Sequence, residues 1–210
     1  METVEHLIRR FAALWRRVGC ADAGREVFDA LWGAWGEPHR HYHGREHLLD
    51  CLQQLDRSPP TAADRDLAEC ALWFHDAVYV PQAGDNEACS AEWAARALRE
   101  CGAPAAQAEG VAAVILETDH ARPAQDPTGA LVCDVDLSIL GRPAPEFAEY
   151  ERRIRAEYQR VPDLVYRVGR AAILRGLLSR DQLFQTDHFR ALYEDRAREN
   201  LTDSLAALGE

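Results

Sequence analysis

Apolar residues recur every three or four positions along nearly the whole chain, which is the spacing of amphipathic α-helices. The first such stretch runs from Val4 to Val18. No alternation of apolar and polar residues typical of a β-strand exceeds four residues. The pattern therefore predicts an all-α protein, a helical bundle in which residues 1–210 form a single domain.

Glycine and proline mark the ends of the predicted helices. Gly36-Glu37-Pro38, Ser58-Pro59-Pro60 and Gly141-Arg142-Pro143 interrupt the apolar spacing, and Thr61 with Asp64 resembles a helix N-cap. Loops are predicted at residues 77–85 and 121–129. Helices are predicted at about residues 4–18, 22–35, 47–55, 67–76, 86–101, 105–119, 132–140, 146–160, 163–178 and 187–208.

The charge and the residue types of the chain limit the kinds of molecule that it can bind. The formal net charge of -11 excludes broad electrostatic binding to nucleic acid polymers or anionic membranes, because both require a basic surface. The first residues predict an amphipathic helix rather than a signal peptide, and no run reaches 18 apolar residues, so a cytoplasmic protein is expected. All 24 cationic residues are arginine, so a phosphate would be bound by arginine, a metal ion or backbone amides. We expect a small-molecule partner, and a homodimer is compatible with the sequence.

The six cysteines form no Cys-x-x-Cys pair and lie mostly in apolar helical stretches, at Cys20, Cys51, Cys70, Cys89, Cys101 and Cys133. This distribution favours small buried thiols over a disulfide framework or a zinc site. We therefore expect free cysteines in a reducing compartment.

Three polar groups interrupt the apolar pattern. Four of the eight histidines lie within nine positions, and two of these, His43 and His47, point the same way if they share a helix. The doublet His75-Asp76 directly follows the apolar run Leu72-Trp73-Phe74. Asp134 and Asp136 stand two positions apart inside the apolar segment 131–140. Ionisable side chains in such surroundings require partners, because burying them unpaired is costly.

Each group also has an ordinary structural interpretation when it is taken alone. A His-x-x-x-His spacing without a glutamate directly after the first histidine is not the zinc-protease motif His-Glu-x-x-His and is often structural. His75-Asp76 could be a buried histidine beside a capping aspartate, and one of the two aspartates at 134 and 136 could be a surface residue. Together, however, the two aspartates suggest a metal ligand and a supporting neighbour.

The order His … His-Asp … Asp on successive predicted helices resembles the HD superfamily of metal-dependent phosphohydrolases. The segment Tyr42-His43-Gly44-Arg45-Glu46-His47 is similar to the Tyr-His-Asn-x-x-His segment of cyclic-nucleotide phosphodiesterases, with glycine where that family has asparagine. Val135-Asp136-Leu137-Ser138 is similar to their Ala-Asp-Leu-Ser segment. Over about residues 5–205 the chain also resembles a bacterial group described as predicted HD phosphohydrolases, notably at residues 85–87, 134–141, 150–158 and 197–201.

The resemblance implies a ligand set and a reaction. It implies that a divalent cation is held by His47, His75, Asp76 and Asp136, and that His43 is the general acid that protonates the leaving oxygen. Two imidazoles and two carboxylates suit Mn, Fe, Co or Mg better than Zn, which prefers closed tetrahedral sites. The expected activity is hydrolysis of a phosphate mono- or diester, expected to be a nucleotide, by metal-activated water.

Further residues are candidates for supporting roles. Asp134 or Asp136 could accept a proton from water, and Glu87 could hold a water or a second cation, although an acid in the first turn of a helix also has a structural role. His120 could contact the substrate or a second metal, or simply end its helix. The candidate phosphate contacts are Arg45, Arg122 and Arg155.

Two other functions remain open at this point. Some relatives with HD ligands are di-iron oxygenases, but those use additional histidines, and only His120 lies between Asp76 and Asp136. A non-catalytic module that binds a nucleotide or a metal is the third interpretation. It does not explain His43, because a sensor has no use for a general acid.

Overall fold

The structure is a computed structural model that describes residues 3–60 and 64–209. In these ranges the secondary structure consists of ten α-helices and one 3-10 turn, without strands, so the predicted all-α class is confirmed. The elements are α1 Val4–Arg17, α2 Arg25–Ala34, α3 Arg45–Arg57, α4 Arg65–Phe74, α5 Asn86–Glu100, α6 Ala105–Glu117, α7 Pro127–Asp136, the 3-10 turn Leu137–Gly141, α8 Ala144–Glu157, α9 Asp163–Leu178 and α10 Asp187–Ala207. No helix within these ranges has the length and apolar character that a membrane crossing requires.

Side-chain caps fix several helix starts. Thr3, Asp64, Asp126 and Thr186 each accept a hydrogen bond from a backbone amide in the first turn of α1, α4, α7 and α10, respectively. Asp64, one of the two residues of the predicted N-cap signal, is the cap itself, whereas Thr61 lies outside the described residues.

Two helix starts differ from the prediction. Helix α7 begins at Pro127 rather than near Val132, because Asp126 caps the amides of Thr128 and Gly129 and proline is well suited to the first helical position. Helix α2 begins at Arg25 rather than Asp22. Asp22 instead accepts hydrogen bonds from the Trp15 indole and the Gly24 amide, which holds a turn before the helix.

Helix α4 lies at the centre of the bundle. Every residue from Ala68 to Phe74 is buried, and the helix packs against α1, α3, α5, α6 and α7. An aromatic cluster of Phe11, Phe28 and Trp73 fills the space beside it. Since α4 is enclosed on all sides, its carboxyl end delivers His75 and Asp76 into the interior of the protein.

Two of the cysteines are not free. Cys20 and Cys101 form a disulfide, while Cys51, Cys70, Cys89 and Cys133 are free thiols. The two partners are 81 residues apart in sequence, but a hydrogen bond from the Ala21 amide to the Cys101 carbonyl holds their segments side by side. The expectation of six free thiols is therefore wrong for this pair. The cysteines no longer support the expected reducing compartment.

Candidate metal centre

Side chains from three helices converge on one point. His47 comes from the first turns of α3, His75 and Asp76 follow the end of α4, and Asp136 is the last residue of α7. His47 Nε2 lies 2.9 Å from Asp136 Oδ1 and 3.3 Å from His75 Nε2. Asp76 Oδ2 lies 3.3 Å from His75 Nε2 and 3.8 Å from His47 Nε2. The four residues named as ligands thus face one another.

The hydrogen bonding of His75 shows what this point lacks. Its Nδ1 lies 2.9 Å from the Leu72 carbonyl oxygen, which can only accept, so Nδ1 carries a hydrogen. In the neutral ring the lone pair is then on Nε2, which faces His47 Nε2 and two carboxylates. The centre therefore brings together lone pairs of imidazole nitrogens and carboxylate oxygens with few hydrogen-bond donors, and a bound cation would stabilise this arrangement.

Without a cation, a proton on His75 would supply positive charge at this point, and the pKa values of His75 and Asp136 indicate how strongly the site favours such a charge. Burial lowers the pKa of His75, but the charges of Asp76 and Asp136 and hydrogen bonding outweigh this effect and raise it to about 9. Burial opposes ionisation of Asp136, yet hydrogen bonds from His120, His47 and His75 hold its pKa well below the usual range. The carboxylate therefore stays ionised and attracts positive charge to this point.

The spacing of the donors fits one divalent cation. Donors lie about 2.0–2.2 Å from such an ion, so two donors at right angles are about 3 Å apart. Five of the six donor pairs among the four side chains are 2.9–3.8 Å apart. His47, His75 and Asp136 can thus share one ion, and the Asp76 carboxylate lies within 3.8 Å of both imidazoles.

Cys51 is a neighbour that the sequence analysis did not assign to the site. His47, Cys51, His75 and Asp136 each offer a potential ligand atom, and these atoms lie within 4.8 Å of one another. The structure therefore contains a candidate metal site in this group. Burial, together with nearby carboxylates, raises the pKa of the Cys51 thiol well above its usual value. A bound cation would itself lower this pKa, so the thiol of Cys51 and the carboxylate of Asp76 are both candidates for the fourth donor.

His43 lies beside the centre and is held by Glu157, a residue to which the sequence analysis gave no role. Glu157 Oε2 lies 2.7 Å from His43 Nδ1 and accepts a hydrogen bond from the Tyr79 hydroxyl. Glu157 Oε1 accepts from the backbone amides of His41, Tyr42 and His43. One buried carboxylate thus fixes both the His43 ring and the backbone that carries it.

These contacts also set the charge of His43 and Glu157. Burial lowers the pKa of His43, but its hydrogen bond to Glu157 and nearby carboxylates outweigh this effect and raise it. Burial raises the pKa of Glu157, but His43 and the backbone amides lower it to about 2. Both shifts favour the pairing of an imidazolium with a carboxylate.

Arg40 connects the segment before α3 to the His75-Asp76 doublet. Its side chain is 1% exposed, and its guanidinium donates to the carbonyl oxygens of His43, Asp76 and Ala77. The rings of Trp35 and Tyr79 lie 5.7 and 5.6 Å from its carbon Cζ. Arg40 thus sets the relative position of the general-acid candidate and the ligand doublet.

His120 joins the centre from the loop after α6. Its Nε2 lies 2.7 Å from Asp136 Oδ2, the carboxylate oxygen opposite the one that faces His47. The residue has a φ of 53°, in the left-handed region. Gln82, with a φ of 72°, is the other non-glycine residue with positive φ in the described ranges. Both residues line a cleft next to the centre. Backbone in sparsely populated conformations is often found at functional sites.

A cleft of about 450 Å³ gives access to the centre. One side is polar and includes His43, Asp76, Glu87, His120 and Asp136. The rest of the lining comes from α8, from α9 and from the segment between them. Of the residues named as candidates, Glu87 and His120 therefore share the cleft with His43, Asp76 and Asp136.

Asp134 does not face the cleft. Its two oxygens accept hydrogen bonds from the amides of Gln185 and Thr186 and from the Thr186 hydroxyl, at 2.7–2.9 Å. The residue is 1% exposed and anchors the start of α10. The expected role of Asp134 as a proton acceptor is thus not supported, because residues two positions apart on a helix do not face the same side.

The three arginines named as phosphate contacts lie elsewhere. Arg45 donates to the Trp32 carbonyl and covers the Trp32 ring, which ties α3 to α2. Arg155 donates to the carbonyls of Tyr158 and Val161 and supports the turn between α8 and α9. Arg122 is exposed in the loop before α7. None of the three lines the cleft. Arg45 and Arg155 are bound to backbone carbonyls elsewhere, and Arg122 is exposed to solvent.

Comparisons with protein-family models, with curated proteins and with solved structures each found no match. The geometry of the centre and its cleft is therefore the basis for assigning a function.

Proposed function

We propose that the protein is a metal-dependent phosphohydrolase of the HD type that acts on a phosphate mono- or diester. The observation that carries the proposal is the convergence of His47, His75, Asp76 and Asp136 beside a cleft that Asp76, Asp136 and His43 line. A divalent cation bound by these four residues would polarise a phosphoryl oxygen and acidify water.

The residues of the chain have separate tasks in this reaction. His43 protonates the leaving oxygen, and its raised pKa favours the protonated form that this task requires. Its ring centroid lies 5.9 Å from that of His47, so a phosphate over the metal ligands would be within its reach. Glu157 orients His43 through Nδ1, which leaves Nε2 for the substrate. His120 supports Asp136 from the opposite side.

Metal analysis followed by an activity panel tests the proposal. Purified protein should retain Mn, Fe, Co or Mg, and should hydrolyse phosphate mono- or diesters, including nucleotides, in the presence of one of these ions. We expect His43→Ala to keep its metal and to lose about 100-fold or more in rate, the usual contribution of a general acid. His41→Ala is the matched control, because its side chain is exposed and only its backbone binds Glu157. Wild-type activity in His43→Ala would refute the general-acid role.

A di-iron oxygenase is the second candidate, and one observation favours it. Asp136 turns its two oxygens toward different imidazoles, Oδ1 toward His47 and Oδ2 toward His120, as a carboxylate between two metal ions would. Two equivalents of iron together with substrate-dependent consumption of O2 would identify this chemistry. Ligand binding without any product would identify a sensor module instead.

A further inference from the structure

The side of the cleft opposite the metal ligands is apolar and aromatic. Helix α9 contributes Val165, Gly169 and Ile173, which are four residues apart and so share one face. Val165 is 60% exposed and Ile173 is 56% exposed, although both are large hydrophobic residues. Tyr158 and Tyr166 line the same side, with ring centroids 6.0 Å apart. This side offers a surface for an uncharged, flat or apolar group.

The charges of the cleft limit how many phosphates a substrate can carry. Its described lining includes four acidic residues, Asp76, Glu87, Asp119 and Asp136. Arg170 is the single arginine among these lining residues, and its guanidinium already donates to Glu151 and to the Tyr150 hydroxyl. One phosphate can be balanced by a bound cation and by His43. A chain of phosphates would meet carboxylates without a free arginine to balance it.

We propose that the cleft selects esters with a single phosphate group and an uncharged aromatic or apolar organic part, which lies against Val165, Gly169 and Ile173. This inference rests on the proposed phosphohydrolase function, whose site it extends. A nucleoside monophosphate meets the description when its base lies on the apolar side. Nucleoside di- and triphosphates do not.

Gly169 offers a direct way to test the contact. A Cβ added there meets no atom within 4 Å, so a larger side chain would enter the cleft rather than the core. Gly176 is equally open and lies on the same helix, about 10 Å further along, outside the cleft lining. Gly169→Leu and Gly176→Leu are therefore a matched pair, and both substitutions favour the helix because leucine has the higher helix propensity.

Calorimetric binding of non-hydrolysable phosphonates in the presence of manganese provides a readout that needs no turnover. Wild type should bind phenylphosphonate about tenfold more tightly than methylphosphonate, because the ring buries apolar surface. 4-Carboxyphenylphosphonate should lose this advantage, since its carboxylate would face a side without a free cation. In Gly169→Leu the preference for phenyl should disappear while methylphosphonate binding stays within about twofold, and Gly176→Leu should behave as wild type.

The inference is overturned if phenyl- and methylphosphonate bind equally, if neither binds, or if the two glycine variants behave alike. Hydrolysis of adenosine mono-, di- and triphosphate separates this outcome from failure of the proposed function. Turnover that favours the triphosphate would leave the phosphohydrolase intact and refute the single-phosphate selection. Tight binding of phenylphosphonate without hydrolysis of any ester would refute the phosphohydrolase and leave the ligand class standing.

Discussion

The two sides of the cleft are built differently. On the inner side, from α3, α4 and α7, the side chains of His47 and His75 are 3% and 1% exposed and are held by the buried core around α4. On the outer side, α9 presents Val165 and Ile173 more than half exposed. Substitution on the inner side must therefore disturb buried polar groups, whereas the outer side can change with little effect on folding. Chemistry and ligand preference are thus separable in this molecule.

The largest expected effect is on the inner side. His75→Ala and Asp76→Ala should each lower metal affinity by more than about 100-fold, because even the loss of a residue that only supports a ligand costs about 10–100-fold. Metal content after dialysis against a chelator measures this. Asp134→Asn is the control from the same region, buried but bonded to the start of α10, and it should retain the metal. Metal retention by Asp76→Ala would remove it from the ligand set.

Cys51→Ala sharpens the choice between the two possible fourth ligands. Cys51 Sγ lies 3.7 Å from His47 Nε2, whereas Asp76 Oδ2 lies 3.3 Å from His75 Nε2. We expect this variant to hold the metal within about tenfold of wild type, a smaller change than loss of a true ligand causes. A loss equal to that of Asp76→Ala would make Cys51 the ligand instead.

An intermediate effect is expected where the inner side meets α8. The pKa of Glu157 is lowered from 4.5 to about 2, so its contribution to stability is present above pH 4.5 and is lost as the pH falls toward 2. Glu157→Gln should lower the free energy of unfolding by about 3 kcal/mol at pH 7, and the difference from wild type should shrink at pH 3. Chemical denaturation at both pH values measures it.

Glu149→Gln is the control for that measurement. The pKa of Glu149 is also lowered to about 2, by Arg152 and Arg153, but this carboxylate is exposed to solvent, which screens the interaction. A pH-dependent loss of stability as large in Glu149→Gln as in Glu157→Gln would contradict the distinction between buried and exposed pairs.

The smallest effect is expected on the outer side. Val165→Ser should change the free energy of unfolding by less than about 0.5 kcal/mol, because the side chain is largely exposed and makes no buried polar contact. Leu164→Ser, on the same helix and 75% exposed, serves as the comparison. Thermal unfolding of both variants checks this, and a marked destabilisation by Val165→Ser alone would show that the outer side is part of the core after all.

Most of the helices could be predicted from the sequence because their apolar faces are buried at regular spacing. Helix α9 is found at Asp163–Leu178, the predicted range, and α10 ends within one residue of its prediction. The start of α7 is not evident from apolar spacing, because the proline and glycine residues of segment 121–129 predict a loop, although aspartate followed by proline is also a good helix start. Local capping chemistry, rather than apolar spacing, decides such boundaries.

The candidate ligands are easier to predict from the sequence than the residues that hold them. His47, His75, Asp76 and Asp136 stand out because they interrupt apolar segments. Glu157 gives no such signal, since it is one acid among several in α8 and its partners lie 78–116 residues away. The Cys20–Cys101 pair is equally hidden, because only the folded chain brings these residues together. Contacts that depend on long-range packing leave no local pattern.

The Arg40 contacts have a mechanical consequence. Its planar guanidinium donates hydrogen bonds to carbonyl oxygens of two separate segments, at His43 before α3 and at Asp76 and Ala77 after α4. A displacement of His43 would therefore be transmitted through Arg40 to the backbone of Asp76, so that the two residues would shift together. An ammonium group lacks this fixed fork, which makes arginine the residue suited to such a brace.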